Sequence, residues 1–267
     1  MIDIHTHIIP SVDDGSSSLE ESLTILKMCR DDGVNAIVAT PHVFHAGIFT
    51  DFGEMQHQVF RQKFEELKQN ARIHRIEIEI LPGAEVFFAT DLREKLGNHR
   101  ELLTINNSDY FLMEFPADVV YEGSKEYIFD LVTDGFIPII CHPERNLIFQ
   151  QNPRLLYQIL QAGALSQADV GSFRGDFGIS AQAAAMKFLK HNLVHVIASD
   201  CHDTKNRPPG LSFIYKHMPE IDKEKIDLLV EHVPLAVVND NVVPDTGPIS
   251  DPGKKTTFFD FLRSFTR

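Results

Sequence analysis

The sequence predicts a parallel α/β protein whose strands close, or nearly close, into a seven-stranded barrel. Seven short apolar stretches alternate with amphipathic helical stretches, the pattern that builds parallel sheets through right-handed crossovers. Candidate metal ligands stand at the exits of six of those seven stretches. In a barrel, the C-terminal ends of the strands gather such residues into one site. An open doubly wound sheet would concentrate function at a single switch point, so six contributing strands favour the ring.

Residues 1–5 form the first strand, which runs into His5-Thr6-His7. Side chains alternate with period two on a strand, so both imidazoles face one side and can share one ion. The following Asp13-Asp14-Gly15 adds two carboxylates and a turn. Ser18-Leu19-Glu20-Glu21 is a capping box opening a helix through Asp32, with Leu19, Leu23 and Leu26 at helical spacing and Gly33 as its stop. Residues 35–39 are a buried strand ending in Thr40-Pro41-His42, followed by a loop over 44–53 and a charged amphipathic helix over 54–70. A strand over 76–81 runs out through Pro82-Gly83-Ala84 to Glu85. Residues 90–107 are irregular, with a short helix near 91–96.

The strand over 110–116 carries Glu114 near its end. A helix over 125–134 is stopped by Gly135, and the strand over 137–141 ends in His142-Pro143-Glu144-Arg145. A helix over 153–162 leads to a weaker strand over 165–170, the one without a ligand at its exit. An Ala-rich helix over 180–191 precedes the last strand, 194–199, which ends in Asp200-Cys201-His202. Helices over 211–218 and 222–233 read as a cover, and 239–255 is a linker rich in Pro, Gly, Asp and Asn. The aromatic segment 258–265 reads as a docking helix, or as a tail that touches a partner or a membrane. The expected division is a barrel over 1–245 and a linker with an aromatic tail over 246–267.

A chain of 267 residues that is 43% hydrophobic can bury a sizeable core. Its net charge of -13 argues against an extended grip on nucleic acid. No apolar run reaches the length of a membrane span, and the first residues lack the pattern of a secretory signal. Three cysteines suggest no disulfide framework, and a cytoplasmic protein is expected.

Taken together, His5-x-His7, Asp14-Gly15, Thr40-Pro41-His42, Gly83-x-Glu85, Glu114, His142-Pro143-Glu144-Arg145 and Ser199-Asp200-x-His202 resemble the PHP superfamily of metal-dependent phosphoesterases. Within it the chain is similar to the capsule and exopolysaccharide tyrosine phosphatases of the CpsB/CapC type, from Met1 to Val238. The resemblance implies a distorted (β/α)7 barrel holding up to three metal ions. It implies His5, His7, Glu85 and Asp200 around one ion, Glu85, Glu114 and His142 around a second, and Asp14, His42 and His202 around the third. Asp14 is chosen over Asp13 because Gly15 adjoins it. The resemblance implies manganese; mixed imidazole and carboxylate ligands would also suit iron or zinc. It implies a phosphotyrosine protein as substrate, a bacterial tyrosine kinase with a tyrosine-rich C-terminal tail.

Phosphate monoester hydrolysis is among the slowest reactions in water, and clustered ions generate hydroxide and neutralise the phosphoryl oxygens. Arg145 and Arg207 are the candidate phosphate clamps, since guanidinium offers two parallel donors. Each could instead pair with a nearby acid, Glu144 or Asp203. Glu144 could also orient His142. Cys201 and Arg207 share the C-x5-R spacing of cysteine-dependent tyrosine phosphatases, but the segment between them has no glycine and Asp203 would repel a dianion. Other readings stay open: a phosphatase of a small metabolite such as histidinol phosphate, a phosphodiesterase acting on nucleic-acid ends, or a metal-bound regulatory module without turnover.

Overall fold

The computed structural model describes residues 1–44, 54–219 and 221–253. The expected loop after Phe44 and the aromatic segment 258–265 lie outside the described residues. The strands are β1 (Ile2–Thr6), β2 (Ala36–Ala39), β3 (His42–Val43), β4 (Glu79–Pro82), β5 (Glu85–Phe87), β6 (Tyr110–Glu114), β7 (Ile137–Cys141), β8 (Leu165–Asp169) and β9 (Val196–Ala198). One parallel sheet has the order β1-β2-β4, and a second has the order β3-β5-β6-β7-β8-β9. The protein is therefore mixed α/β with parallel sheets.

Among the described residues nine strands replace the expected seven because two of them break. The breaks fall beside Pro41 and Pro82, which have no N–H to extend a ladder. Beyond them the chain resumes pairing as β3 and β5, with His42 directly opposite Glu85. A Cβ at Gly83 would come within 2.7 Å of Val38 Cγ1, so glycine lets this bend approach β2. Backbone bonds continue past the strand ends. Thr40 N donates to Thr6 O at 2.8 Å, Asp200 N to His5 O at 2.9 Å, and His7 N to Cys201 O at 2.8 Å.

Strands β2 and β6 are apolar on both faces, as expected where helices cover a parallel sheet. Along β2, Ile37 and Ala39 join the large cluster under the helices, while Ala36 and Val38 join a smaller one. The same alternation places Phe111 and Met113 of β6 in the first and Tyr110 and Leu112 in the second. The smaller cluster draws on strands of both sheets, with Ile2 and Ile4 from β1 beside Val196 and Ala198 from β9.

The helix Leu19–Asp31 starts where its capping pattern puts it, with Ser18 accepting from Glu21 N at 3.2 Å. Glu21 reaches back to Ser17 N at 2.9 Å, one residue before the cap. The strand expected over 76–81 begins later, at Glu79. Short helices at Arg100–Leu103, Leu147–Gln151 and Val170–Arg174 were not legible; each is too short to show a period. The linker is irregular, as expected, but it is pinned: Lys225 Nζ donates to Thr246 O at 2.7 Å and Ser250 N to His191 O at 3.0 Å. No helix among the described residues is long and apolar enough to cross a membrane.

His195, just before β9, is buried, and its Nδ1 accepts from Ser166 N at 3.2 Å. Burial, with a smaller push from Lys225, lowers its pKa to about 4. The unfolded chain therefore binds this proton near pH 6.5 and the folded chain only near pH 4. Between those values the unfolded state carries more protons, so stability falls as pH drops, by on the order of 3 kcal/mol in full. Denaturant unfolding of wild type and His195→Gln at pH 7 and pH 4.5 should show a smaller acid loss in the variant; equal losses would refute this account.

Candidate metal centre

The strand exits converge on one cluster of imidazoles and carboxylates. His5 Nε2 and His7 Nε2 lie 3.2 Å apart, so the two side chains do meet. Each is 3.3–3.4 Å from both Glu85 and Asp200. The register that sets His42 opposite Glu85 brings His42 Nδ1 within 2.9 Å of Glu85 Oε2. Glu114, opposite Phe87 on the next strand, has its carboxylate 3.7 Å from the same His42 nitrogen. His142 Nε2 bonds Glu85 Oε1 at 2.9 Å. His202 and His42 both face Asp14, at 3.6 and 3.5 Å.

Two of these residues hold unusual backbone. His142 has φ 30° and Asp200 has φ 51°, both in the left-handed region. Non-glycine residues there carry about 1–3 kcal/mol of strain that the surroundings must offset. The turn after His7 is equally constrained: Ser16 N donates to His7 O at 2.9 Å, and a Cβ at Gly15 would sit 2.2 Å from that oxygen. Gly15 is required by this close approach.

Partners outside the cluster fix the ring orientations. Gln167 Oε1 accepts from His5 Nδ1 at 2.9 Å, and Gln167 Nε2 donates to Asp169 Oδ1 at 2.8 Å. Asp13 Oδ2 accepts from His7 Nδ1 at 2.7 Å. With Nδ1 held in both rings, Nε2 is the atom that faces the cluster, where a bound cation would take the place of its proton.

The electrostatics are those of an anionic pocket that draws in positive charge. Burial alone would lower the pKa of His5, but Glu85 and Asp200 outweigh it and raise it to about 10. His7 is raised as well, by Asp13 against burial. Burial, then repulsion from Glu85 and Asp200, lifts Glu114 to about 9. Asp200 Oδ1, Glu114 Oε2 and His202 Nε2 are buried without a hydrogen-bond partner. Orphaned buried atoms of this kind are rare in proteins, and a cation would satisfy them. Among the described residues, overlapping sets with donor atoms within 4.8 Å comprise His5, His7 and Asp200; His5, Glu85 and Cys141; His42, Glu85 and Glu114; and His7, Asp14, His42 and His202. The donors fit divalent ions of the manganese, iron or zinc kind.

Arg145 donates to Asp169 at 2.9 Å and to Asp200 at 2.6 Å. Arg207 also donates to Asp200. Both guanidiniums face the Phe177 ring, at 4.3 and 5.8 Å from its centroid. Two cationic forks thus converge at the edge of the cluster.

A family model described as capsular polysaccharide synthesis, CpsB/CapC, matches residues 1–237. The chain belongs to the CpsB/CapC family. It is 38% identical over 208 residues to a putative tyrosine-protein phosphatase CapC from Staphylococcus aureus, covering 78% of this chain and 79% of that one. It is 32% identical over 263 residues to the tyrosine-protein phosphatase YwqE from Bacillus subtilis, covering 98% and 100%. A solved structure from the pair YwqE of Bacillus subtilis and CpsB of Streptococcus pneumoniae, described as metal-dependent tyrosine phosphatases, superposes with a TM-score of 0.85 at 29% identity over 94% of this chain and 99% of that one. An organophosphorus hydrolase variant from Deinococcus radiodurans shares the fold, with a TM-score of 0.51 at 11% identity over 89% and 92%.

In this CpsB/CapC chain the structure brings all nine residues expected as ligands into one neighbourhood, with different groupings. His42 stands in one set with Glu85 and Glu114 because β3 pairs with β5, while His142 bonds Glu85 Oε1. His7 also reaches the set of Asp14, His42 and His202. Asp14 faces the cluster, and Asp13 holds His7 from behind. The arginines pair with Asp169 and Asp200, not with Glu144 or Asp203. Glu144 neither orients His142 nor pairs with Arg145. Its Oε1 accepts from Asp169 N at 2.9 Å and Ser172 Oγ at 2.6 Å, and burial then Asp169 raises its pKa to about 8. Cys201 is fully buried in the large apolar cluster, out of reach of a substrate.

Gln167, Asp169 and Asp13 are the residues that sequence reasoning missed. A polar Gln-x-Asp inside the one strand without a ligand was the available signal. Removing such an orienting partner usually costs 10–100-fold in metal affinity. Gln167→Leu is therefore expected to weaken Mn²⁺ binding by roughly 10–100-fold, read by calorimetry, with the folded far-UV spectrum retained. Unchanged affinity would remove the orienting role.

Proposed function

We propose that this chain is a manganese-dependent protein tyrosine phosphatase. The observation that carries the reading is the convergence of Arg145 and Arg207 on Asp200, at the edge of a buried imidazole–carboxylate cluster. His5, His7, Glu85 and Asp200 would hold one ion, Glu114 and His142 with Glu85 a second, and Asp14, His42 and His202 the third, with His42 also near the second. When bound, the ions supply a hydroxide nucleophile at neutral pH and neutralise charge on the phosphoryl oxygens.

The chain's own residues do the rest. Gln167 and Asp13 keep the Nδ1 protons of His5 and His7 in place. Arg145 and Arg207 present donors to a phosphoryl dianion, Arg145 being held by Asp169 and by the Phe177 ring. A tyrosyl leaving group has a pKa near ~10 and departs more easily than an alkoxide, so no dedicated acid is assigned.

The catalytic unit is residues 1–245 folded as a distorted seven-stranded barrel, with 246–267 as linker and tail. Supporting closure, bonds from Asp200 N and to Cys201 O tie the chain after β9 to β1, and β1 and β9 share the smaller apolar cluster. The physiological substrate we propose is the tyrosine-rich tail of a bacterial tyrosine kinase that governs polysaccharide export. The family's link to capsular polysaccharide synthesis supports that choice.

The test is hydrolysis of a phosphotyrosine peptide after stripping metal and restoring Mn²⁺. Activity should return with metal, survive Cys201→Ala within a few-fold, fall to background in His5→Ala, and drop by about 10²–10³ in Arg145→Ala. Activity that ignores metal and disappears with Cys201→Ala would overturn the reading.

A further inference from the structure

We infer that a small cavity beside Arg145 is an aryl subsite, which receives the phenyl ring of an aryl phosphate whose phosphoryl group lies against Arg145 and the metal cluster. This rests on the phosphatase reading above and names the part of the substrate that the site selects.

The cavity measures about 170 Å³. Its lining includes Phe115, Ala117 and Phe149 together with Glu114, His142 and Arg145. The last three also belong to the cluster and its arginine clamp, so the apolar space and the site of chemistry are continuous. Phe115 and Phe149 meet edge to face, with centroids 5.8 Å apart and planes at 82°. Phe88 stacks behind Phe115 at 5.0 Å. Both lining rings are buried and cannot swing out to fill the space. A cavity of about 150 Å³ is enough for benzene, and this one, apolar toward Phe115, Ala117 and Phe149 and polar toward Glu114, His142 and Arg145, suits a phenyl ring with its phosphoryl group on the polar side.

The walls are pre-formed. Asn146 Nδ2 donates to Pro116 O at 2.6 Å and to Val119 O at 3.3 Å. Leu147 N donates to Ala117 O at 2.8 Å. These bonds lock the loop after β6 to the helix after the His142–Arg145 turn, one on each side of the cavity. A pre-formed pocket avoids the ordering cost of binding. An alkyl phosphate, such as a seryl or threonyl ester, would leave the space unfilled. Filling it with a phenyl ring is expected to tighten binding by about 10–100-fold.

The experiment compares benzylphosphonate with methylphosphonate, neither of which turns over. Their binding to the Mn²⁺-loaded full chain is measured by calorimetry for wild type and Ala117→Phe. Ala117 lines the cavity and bonds through its backbone, so a phenyl side chain at this position competes for the space. Wild type should prefer benzylphosphonate by about 10–100-fold, and the variant should lose that preference while binding methylphosphonate as before. A wild type without preference, a variant that keeps it, or a variant that loses both ligands equally would each overturn the inference. Because the readout is binding, a protein that shows the preference but hydrolyses no phosphotyrosine refutes the phosphatase reading alone.

Discussion

The structure depends on one electrostatic constraint: too many like groups are buried in one place. Glu85, Glu114 and Asp200 lie within a few ångströms of one another's partners, Glu85 and Asp200 fully buried and Glu114 partly so. Charge buried without compensation is costly. The chain answers by drawing protons onto His5, His7 and Glu114, and the rest of the site shows which compensation it is built for. Buried acceptors aim inward without partners, and two imidazoles place Nε2 against Nε2. Divalent cations relieve both conditions at once, releasing protons as they bind.

Holding such a cluster open requires a rigid frame, and the frame is the parallel sheet. Strands such as β2 and β6 pack an apolar cluster on each face, which fixes their place in the sheet. The polar groups sit where the ladder ends and the backbone turns, at His142 and Asp200, where positive φ carries strain that the packed core offsets. Asp169 and Glu144 extend the frame outward. Glu144 holds the Asp169 N–H, Asp169 holds Gln167 and Arg145, and those two hold His5 and Asp200. The imidazole–carboxylate cluster and the two arginines are thus parts of one hydrogen-bonded network, in which polar bonds reinforce one another.

The arginine pair belongs to the same network. Both guanidiniums rest on a single carboxylate, Asp200, and beneath one aromatic ring, Phe177. Fixing a guanidinium from behind leaves its outer donors to a tetrahedral anion, at less entropic cost than a mobile side chain would carry.

Local signals were enough to place most of the strands and helices and the candidate ligands at their ends. His-x-His, His-Pro-Glu-Arg and Asp-x-His each follow an apolar stretch, and strand, cap and turn preferences act over a few residues, so position along the chain was enough to place them. Tertiary structure alone decided how they group. His42 meets Glu85 through strand register across 43 positions, and His5 meets Gln167 across 162. Asp13 and Asp14 are neighbours of identical chemistry, and only the turn closed around His7 sends one behind the ring and the other toward the cluster. Spacing cannot carry that information, because hydrogen bonds and ion pairs form between whatever the packed strands bring within reach.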